Sequence, residues 1–259
     1  MTRTVVITRP GGLHEGVREF SAKVHELGLL SLHLSVLRCE LLKISAAEER
    51  FLRDFIVEGA GWIAFLSPNS VQAFRSVCEE RLRGLVVPAS IKLAVQGSGT
   101  ADALQSCFGR RADFMPSVFV AEEFGEEFAR EVRPNGKVLI PQSADGRDIL
   151  APLLRSKGFD VISLDTYRTS EASLSNAERA AFERLEPRDT VMVFMSPSAV
   201  RATVKALSPE RQLLDLLSVI SVGPITTQAA KEAGLTVALE AMPHSEEGVI
   251  EALRRHFRL

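Results

Sequence analysis

Residues 62–74, WIAFLSPNSVQAF, return as residues 191–203, VMVFMSPSAVRAT. In each, a short apolar run ends at Ser-Pro and gives way to helical periodicity, which predicts a buried strand feeding directly into a helix. Two further segments repeat in the same order. LAVQGSGTADAL (93–104) returns as ISVGPITTQAA (220–230), and VVITRPGGLHEGVREFSAKVHELGLLSLHL (5–34) returns as KVLIPQSADGRDILAPLLRSKGFDVISLDT (137–166). Matching Ser67 to Ser196, Gly97 to Gly223 and Ile7 to Ile140 gives offsets of 129, 126 and 133 residues (196 − 67, 223 − 97 and 140 − 7). Near-constant offsets over three ordered segments mean that the chain is two copies of one unit.

Within each copy, Val- and Ile-rich runs alternate with helix-length amphipathic segments. That alternation predicts βα units and parallel sheets covered on both faces. The expected fold class is therefore α/β, with two similar parallel-sheet domains of about five strands each. A cleft between two such domains is where a ligand site is expected.

Composition narrows the function. With 259 residues, 46% hydrophobic and 25% charged, the chain has the usage of a soluble globular protein. A net charge of −2 with no basic run excludes a phosphate-tracking nucleic-acid binder. Cys39, Cys78 and Cys107 show no CxxC spacing, and the five histidines (His14, His25, His33, His244, His256) are scattered, so neither a redox pair nor a metal site is expected. The amino-terminal apolar run is too short for a signal peptide or a membrane span, so a cytoplasmic protein without membrane association is expected. Gly97-Ser98-Gly99-Thr100-Ala101-Asp102 carries Asp where the dinucleotide fingerprint needs its third glycine, which argues for a helix-starting turn rather than a nicotinamide site.

The repeated turns carry what chemistry there is. Ser67-Pro68-Asn69 and Ser196-Pro197-Ser198 have serine at the N-cap and proline at the first helical position. Capping accounts for both completely. The same amides and partial positive charge also suit an anion. Gly97-Ser98-Gly99-Thr100 and Gly223-Pro224-Ile225-Thr226 make a second pair, in which glycine lets backbone approach a ligand and threonine can cap or offer a hydroxyl. Four such turns supply donors with few fixed charges, which suits a ligand bearing several carboxylates. Tyr167, in VISLDTYRTSE (161–171), is the single tyrosine of the chain, and its repeat counterpart has no aromatic.

VVITRP (5–10), FLSPNSV (65–71), GSGTADAL (97–104), GFDVISLDTYRT (158–169), FMSPSAV (194–200) and SVGPITTQAAKEAGL (221–235) together resemble the uroporphyrinogen-III synthase family, in family order over nearly the whole chain. The resemblance implies a flavodoxin-like pair of domains joined by a two-stranded linker. Domain 1 would comprise residues 1–37 and 169–259, domain 2 residues 41–165, with crossings near 37–41 and 165–169. It implies a cofactor-free, metal-free lyase, a monomer, that cyclises the small-molecule linear tetrapyrrole hydroxymethylbilane with loss of water and inversion of the last ring. Tyr167 is then the expected catalytic proton donor, against the plainer role of a strand aromatic. Ser67, Thr100, Ser196, Thr226, Gly97, Gly223, Arg9 and Arg147 are the expected substrate-binding residues, each with capping or a solvated charge as its plainer role. A non-catalytic two-lobed binding or sensor domain for a small anion is the alternative.

Overall fold

The computed structural model describes residues 3–10, 16–83, 86–133, 136–146 and 148–259. In chain order the first elements are β1 (Thr4–Ile7), α1 (Gly16–Glu26), β2 (Leu30–His33), β3 (Leu37–Leu41), α2 (Ala46–Glu58), β4 (Trp62–Phe65), α3 (Pro68–Glu80), β5 (Lys92–Val95), α4 (Ser98–Phe108) and α5 (Ala121–Glu131). They are followed by β6 (Lys137–Ser143), α6 (Leu150–Ser156), β7 (Asp160–Glu171), α7 (Asn176–Glu183), β8 (Thr190–Phe194), α8 (Pro197–Ala206), α9 (Arg211–Asp215), β9 (Ser218–Ser221), α10 (Pro224–Glu232), β10 (Thr236–Glu240) and α11 (Glu246–Phe257).

The chain forms two compact units, one of residues 1–39 and 169–259 and one of residues 40–168. The first carries a five-stranded parallel sheet in the order β10-β9-β8-β1-β2. Renumbered along its own strands this is the flavodoxin-like order 2-1-3-4-5, in which the strand order reverses between β1 and β8. The second sheet runs β3-β7-β6-β4-β5, and its ladders from β7 to β5 are parallel. Its reversal falls between β6 and β4. The repeat explains the match: β4 and β8, β5 and β9, β6 and β1, and β7 and β2 hold equivalent places in the two sheets. β3 and β7 lie side by side, and the boundary between the units falls inside both strands.

Alternation along each strand sends side chains to opposite faces, and both faces are buried. On β1, Val6 packs with Met192, Val219 and Phe194 while Val5 and Ile7 pack with Phe20, Val24 and Leu253. In the second unit, Ile63, Phe65, Leu93, Val95, Leu139 and Leu164 face α2, α3 and α4, whereas Ala64, Val138, Ile140 and Val161 face Phe124, Phe128 and Leu154. Cys78 is a core residue of α3, and burial, only partly offset by Arg75, pushes its thiol up to about 12. Such a thiol is inert at neutral pH.

The helix that follows each crossing strand starts with the same device. Ser45 accepts from the Glu48 N–H and the Glu48 carboxylate accepts from the Ser45 N–H; Ser175 and Glu178 repeat the box at α7. The Ser-x-x-Glu spacing carries it in the sequence. Glu178 also accepts the Ser35 N–H at 2.8 Å, tying α7 to the segment between β2 and β3. Burial raises its pKa, but the hydrogen bonds from Ser175 and Ser35 outweigh burial and hold the carboxyl at about 2, against an ordinary 4.5. A depressed carboxyl stabilises the fold above its unfolded pKa and loses that contribution as pH falls through its folded one. Urea midpoints of wild type and Glu178→Gln should therefore differ fully above pH 4.5 and converge as the pH falls towards 2.

Candidate functional site

β4 ends at Phe65 and its chain enters α3 through Ser67, whose backbone is extended (φ −159°, ψ 158°). The Ser67 Oγ accepts the Ser70 N–H at 3.1 Å, and the Ser67 N–H donates to Ser70 Oγ at 3.3 Å. Pro68 fills the first helical position, where no N–H is needed. Ser67 therefore caps α3, as its sequence context predicts. It also makes a long-range contact: its Oγ lies 3.1 Å from the Tyr167 hydroxyl.

A break in strand register brings Tyr167 there. β6 and β7 pair residue for residue from Lys137 and Asp160 to Gln142 and Asp165, and then Ser143 pairs with Tyr167, leaving Thr166 as one extra residue in β7. Before the break, Ile162 and Leu164 face α2, α3 and α4, while Val161 faces the opposite layer. Unbroken alternation would put residue 167 with Val161. The bulge inverts the phase, so Tyr167 falls on the face of Ile162 and Leu164, where α3 begins. Thr166 is fully buried and donates to the Gln142 carbonyl at 3.3 Å, and Leu42 N–H donates to the Thr166 carbonyl at 3.0 Å. Tyr167 is 6% exposed.

The glycine turns are alike in both units. Gly97 (φ −170°) and Gly223 (φ 176°) are the N-cap residues of α4 and α10 in extended backbone open to any residue. What a side chain would meet at either place is a ring at close range. A Cβ at Gly97 would lie 3.1 Å from the Phe119 ring, and one at Gly223 would lie 3.3 Å from the His244 ring. Thr100 and Thr226 occupy the third position of their helices and are 4% and 3% exposed. Neither glycine offers a side-chain cap to these helices. Phe119 is 37% exposed, and its carbonyl accepts from Gln96 Nε2 at 3.0 Å.

In the first unit Ser196 caps α8, accepting the Ala199 N–H at 3.2 Å with Ser198 Oγ at 3.0 Å. Arg9 follows β1, at the reversal point of that sheet, and its guanidinium pairs with Glu246 at the start of α11 and lies 4.8 Å over the Phe20 ring. Burial raises the Glu246 carboxyl, but Arg9 and Lys23 outweigh burial and hold it below the usual carboxylate range. Arg9 is thus built into the packing of α1 and α11. Arg147 lies outside the described residues.

The geometry joins Ser67 to Tyr167 in one unit, Gly97 to Thr100 in the same unit, and Gly223 to Thr226 in the other. Sequence reasoning missed Thr166, Phe119 and His244. A signal existed for the last two: Phe119 lies 22 residues beyond Gly97 and His244 lies 21 beyond Gly223 (119 − 97 and 244 − 223), so they occupy matching places in the repeat. Among the described residues no group of three or more His, Cys, Asp or Glu could hold a metal ion, and no helix is long and apolar enough to cross a membrane.

A family model described as uroporphyrinogen-III synthase HemD matches residues 18–251. A putative uroporphyrinogen-III synthase of Methanocaldococcus jannaschii is 26% identical over 203 residues, which cover 78% of this chain and 81% of that protein. The porphyrin biosynthesis protein HemD of Ruminiclostridium josui is 26% identical over 235 residues; the match covers 89% of this chain and only 44% of that protein. The solved structure of a uroporphyrinogen-III synthetase from Helicobacter pylori superposes with a TM-score of 0.61 at 18% identity, covering 98% of this chain and 99% of that one, and so shows a shared fold.

The contact between Ser67 and Tyr167 can be weighed by a double-mutant cycle. Ser67→Ala removes a cap and should cost about 0.5–2 kcal/mol in chemical denaturation. Tyr167→Phe should couple to it by about 0.5–1.5 kcal/mol. Additive costs would mean that the two hydroxyls do not share a hydrogen bond in solution.

Proposed function

The chain belongs to the uroporphyrinogen-III synthase family, cyclising lyases of haem biosynthesis, and on that premise we propose that it closes hydroxymethylbilane to uroporphyrinogen III with Tyr167 as proton donor. The observation that carries this reading is the Tyr167 phenol held against the Ser67 hydroxyl at the N-terminus of α3. A phenol, with a reference pKa of about 10, is protonated at neutral pH. It can give its proton to the hydroxymethyl oxygen, which leaves as water and generates an azafulvenium ion. Ser67 Oγ accepts an N–H from Ser70 and so keeps its own hydrogen to direct at the phenolate oxygen as charge develops there. The positive end of the α3 dipole acts in the same sense.

The electrophile is then attacked by the substituted carbon of the last pyrrole, giving a spiro intermediate whose collapse and reclosure inverts that ring. Final aromatisation releases one proton, which restores the phenol and balances the one donated. The pyrrole nitrogen supplies electrons for water loss, so the protein's larger task is to hold a folded conformer. The substrate carries acetate and propionate arms on every ring. Ser196 at α8, Thr100 at α4 and Thr226 at α10 each stand in the first turn of a helix, where amides and the dipole favour carboxylates. The reading assigns the chemistry to the cytoplasm and to a small-molecule substrate. The net charge of −2 supports it by giving no electrostatic case for nucleic acid.

Freshly generated hydroxymethylbilane closes spontaneously to the type I isomer. The protein should raise the type III fraction far above a protein-free control, with isomers resolved after oxidation; equal fractions would overturn the reading. Tyr167→Phe should lower kcat by about 10²-fold, the lower end of the 10²–10⁴ range for general acids, because the pyrrole itself assists departure. An unchanged kcat would make Tyr167 a packing residue.

A further inference from the structure

The two repeats place a ring on the same glycine but choose different rings. Phe119 covers Gly97 and His244 covers Gly223. Phenylalanine satisfies the packing requirement in one copy, so packing alone does not explain an imidazole in the other. The difference between the rings is their nitrogens, and the surroundings of His244 settle which one is in use. Nδ1 lies 2.8 Å from the Ala241 carbonyl oxygen. A carbonyl only accepts, so Nδ1 carries the hydrogen and Nε2 is the atom left for a ligand. Nε2 makes no hydrogen bond among the described residues, and His244 is exposed.

In the first turn of the helix that Gly223 caps, Thr226 is 3% exposed, and its hydroxyl makes no hydrogen bond among the described residues. That hydroxyl is not one of the sealed, unsatisfied oxygens among the described residues, which are Gln72 Oε1, Ser163 Oγ and Thr203 Oγ1. A nearly buried hydroxyl without a protein partner, open to solvent in the first turn of α10, is a donor waiting for an acceptor. Gly223, Thr226 and His244 all belong to one unit, so the arrangement is internal to it.

We propose that His244 is a substrate-contact residue which, with the Thr226 hydroxyl and the first amides of α10, receives one carboxylate arm of the linear tetrapyrrole. Nδ1–H stays on Ala241 and fixes the ring, and a proton shared between Nε2 and the carboxyl group holds the arm. The inference rests on the function proposed above and names a residue outside the motifs that carry the family resemblance. It also gives the duplicated turns different tasks, with a carboxylate donor at Gly223 and an apolar ring at Gly97.

Three variants test it. His244→Phe installs the ring that the other copy uses, so packing on Gly223 is kept and only the nitrogens are lost. His244→Asn can still reach the Ala241 carbonyl but has nothing at the Nε2 position. His244→Gln supplies a donor near Nε2. With fresh hydroxymethylbilane and initial rates of type III formation, Phe and Asn should each raise KM about tenfold with kcat within about twofold, and Gln should recover most of the loss. A wild-type KM in His244→Phe would overturn the proposal. So would the opposite ranking, with Asn near wild type and Gln impaired, which is what a purely structural anchor on Ala241 predicts. Should His244→Phe melt early, the Asn and Gln pair alone decides. Failure of the wild type to make type III product would instead remove the function on which the proposal rests.

Discussion

One extra residue in β7 governs where the Tyr167 hydroxyl stands. Strand side chains alternate with a strict period of two, so the phase of a strand assigns every residue beyond a given point to one face or the other. Thr166 shifts that phase by one, and the cost is local: its hydroxyl finds the Gln142 carbonyl and its carbonyl finds the Leu42 N–H, so the backbone disturbance leaves its polar groups paired. Because of that shift, Tyr167 shares a layer with α3 and meets the one hydroxyl that caps that helix. Ser67 is then both a stabilising cap and the partner of the phenol. Its position is fixed by the requirements of helix initiation, which makes it a rigid support for the proposed proton donor.

Duplication supplies the scaffold and substitution supplies the asymmetry. Both sheets reverse strand order at equivalent places, both send Ser-Pro into a helix there, and both pack a ring on an extended glycine. A reaction that singles out one of four similar pyrroles needs the two halves to differ. Tyr167 has no aromatic counterpart in the first βαβ segment, and the ring pair is Phe119 in one copy and His244 in the other. The ring pair sits on a turn that both copies share, whereas Tyr167 follows a register shift that β7 shows against β6 and β2 does not show against β1.

Much of the architecture is legible in the sequence, for identifiable reasons. The α/β class and the parallel ladders of both sheets come from alternating Val/Ile runs and amphipathic segments, and the repeat explains why four strands of one sheet match four of the other. Ser67 and Ser196 are readable as caps because Ser-Pro at a strand end has few other uses. The bulge is not readable: VISLDTYRTSE alternates well enough to pass as an unbroken strand, and the phase change is visible only against β6. Phe119 and His244 are hard to find because each lies more than twenty residues from the glycine it covers. Arg9 is the case where residue type leaves two roles open. An arginine after a strand can anchor a ligand or join the packing, and the sequence does not show that Glu246 pairs with its guanidinium and the Phe20 ring lies under it.

The discontinuous make-up of the first unit has a consequence for how the protein comes into being. β1 lies between β2 and β8, and Val5, Val6 and Ile7 are fully buried there. During synthesis β2 is available at once, but β8 begins only at Thr190, after the whole of residues 40–168 has left the ribosome. At about 5–20 residues per second the exposed edge of β1 waits roughly 10–40 seconds for its second neighbour. Residues 40–168 can complete their own sheet in that interval. The nascent chain thus carries a finished unit between the two halves of an unfinished one. The amino-terminal βαβ segment is where a cell's chaperones have most to protect.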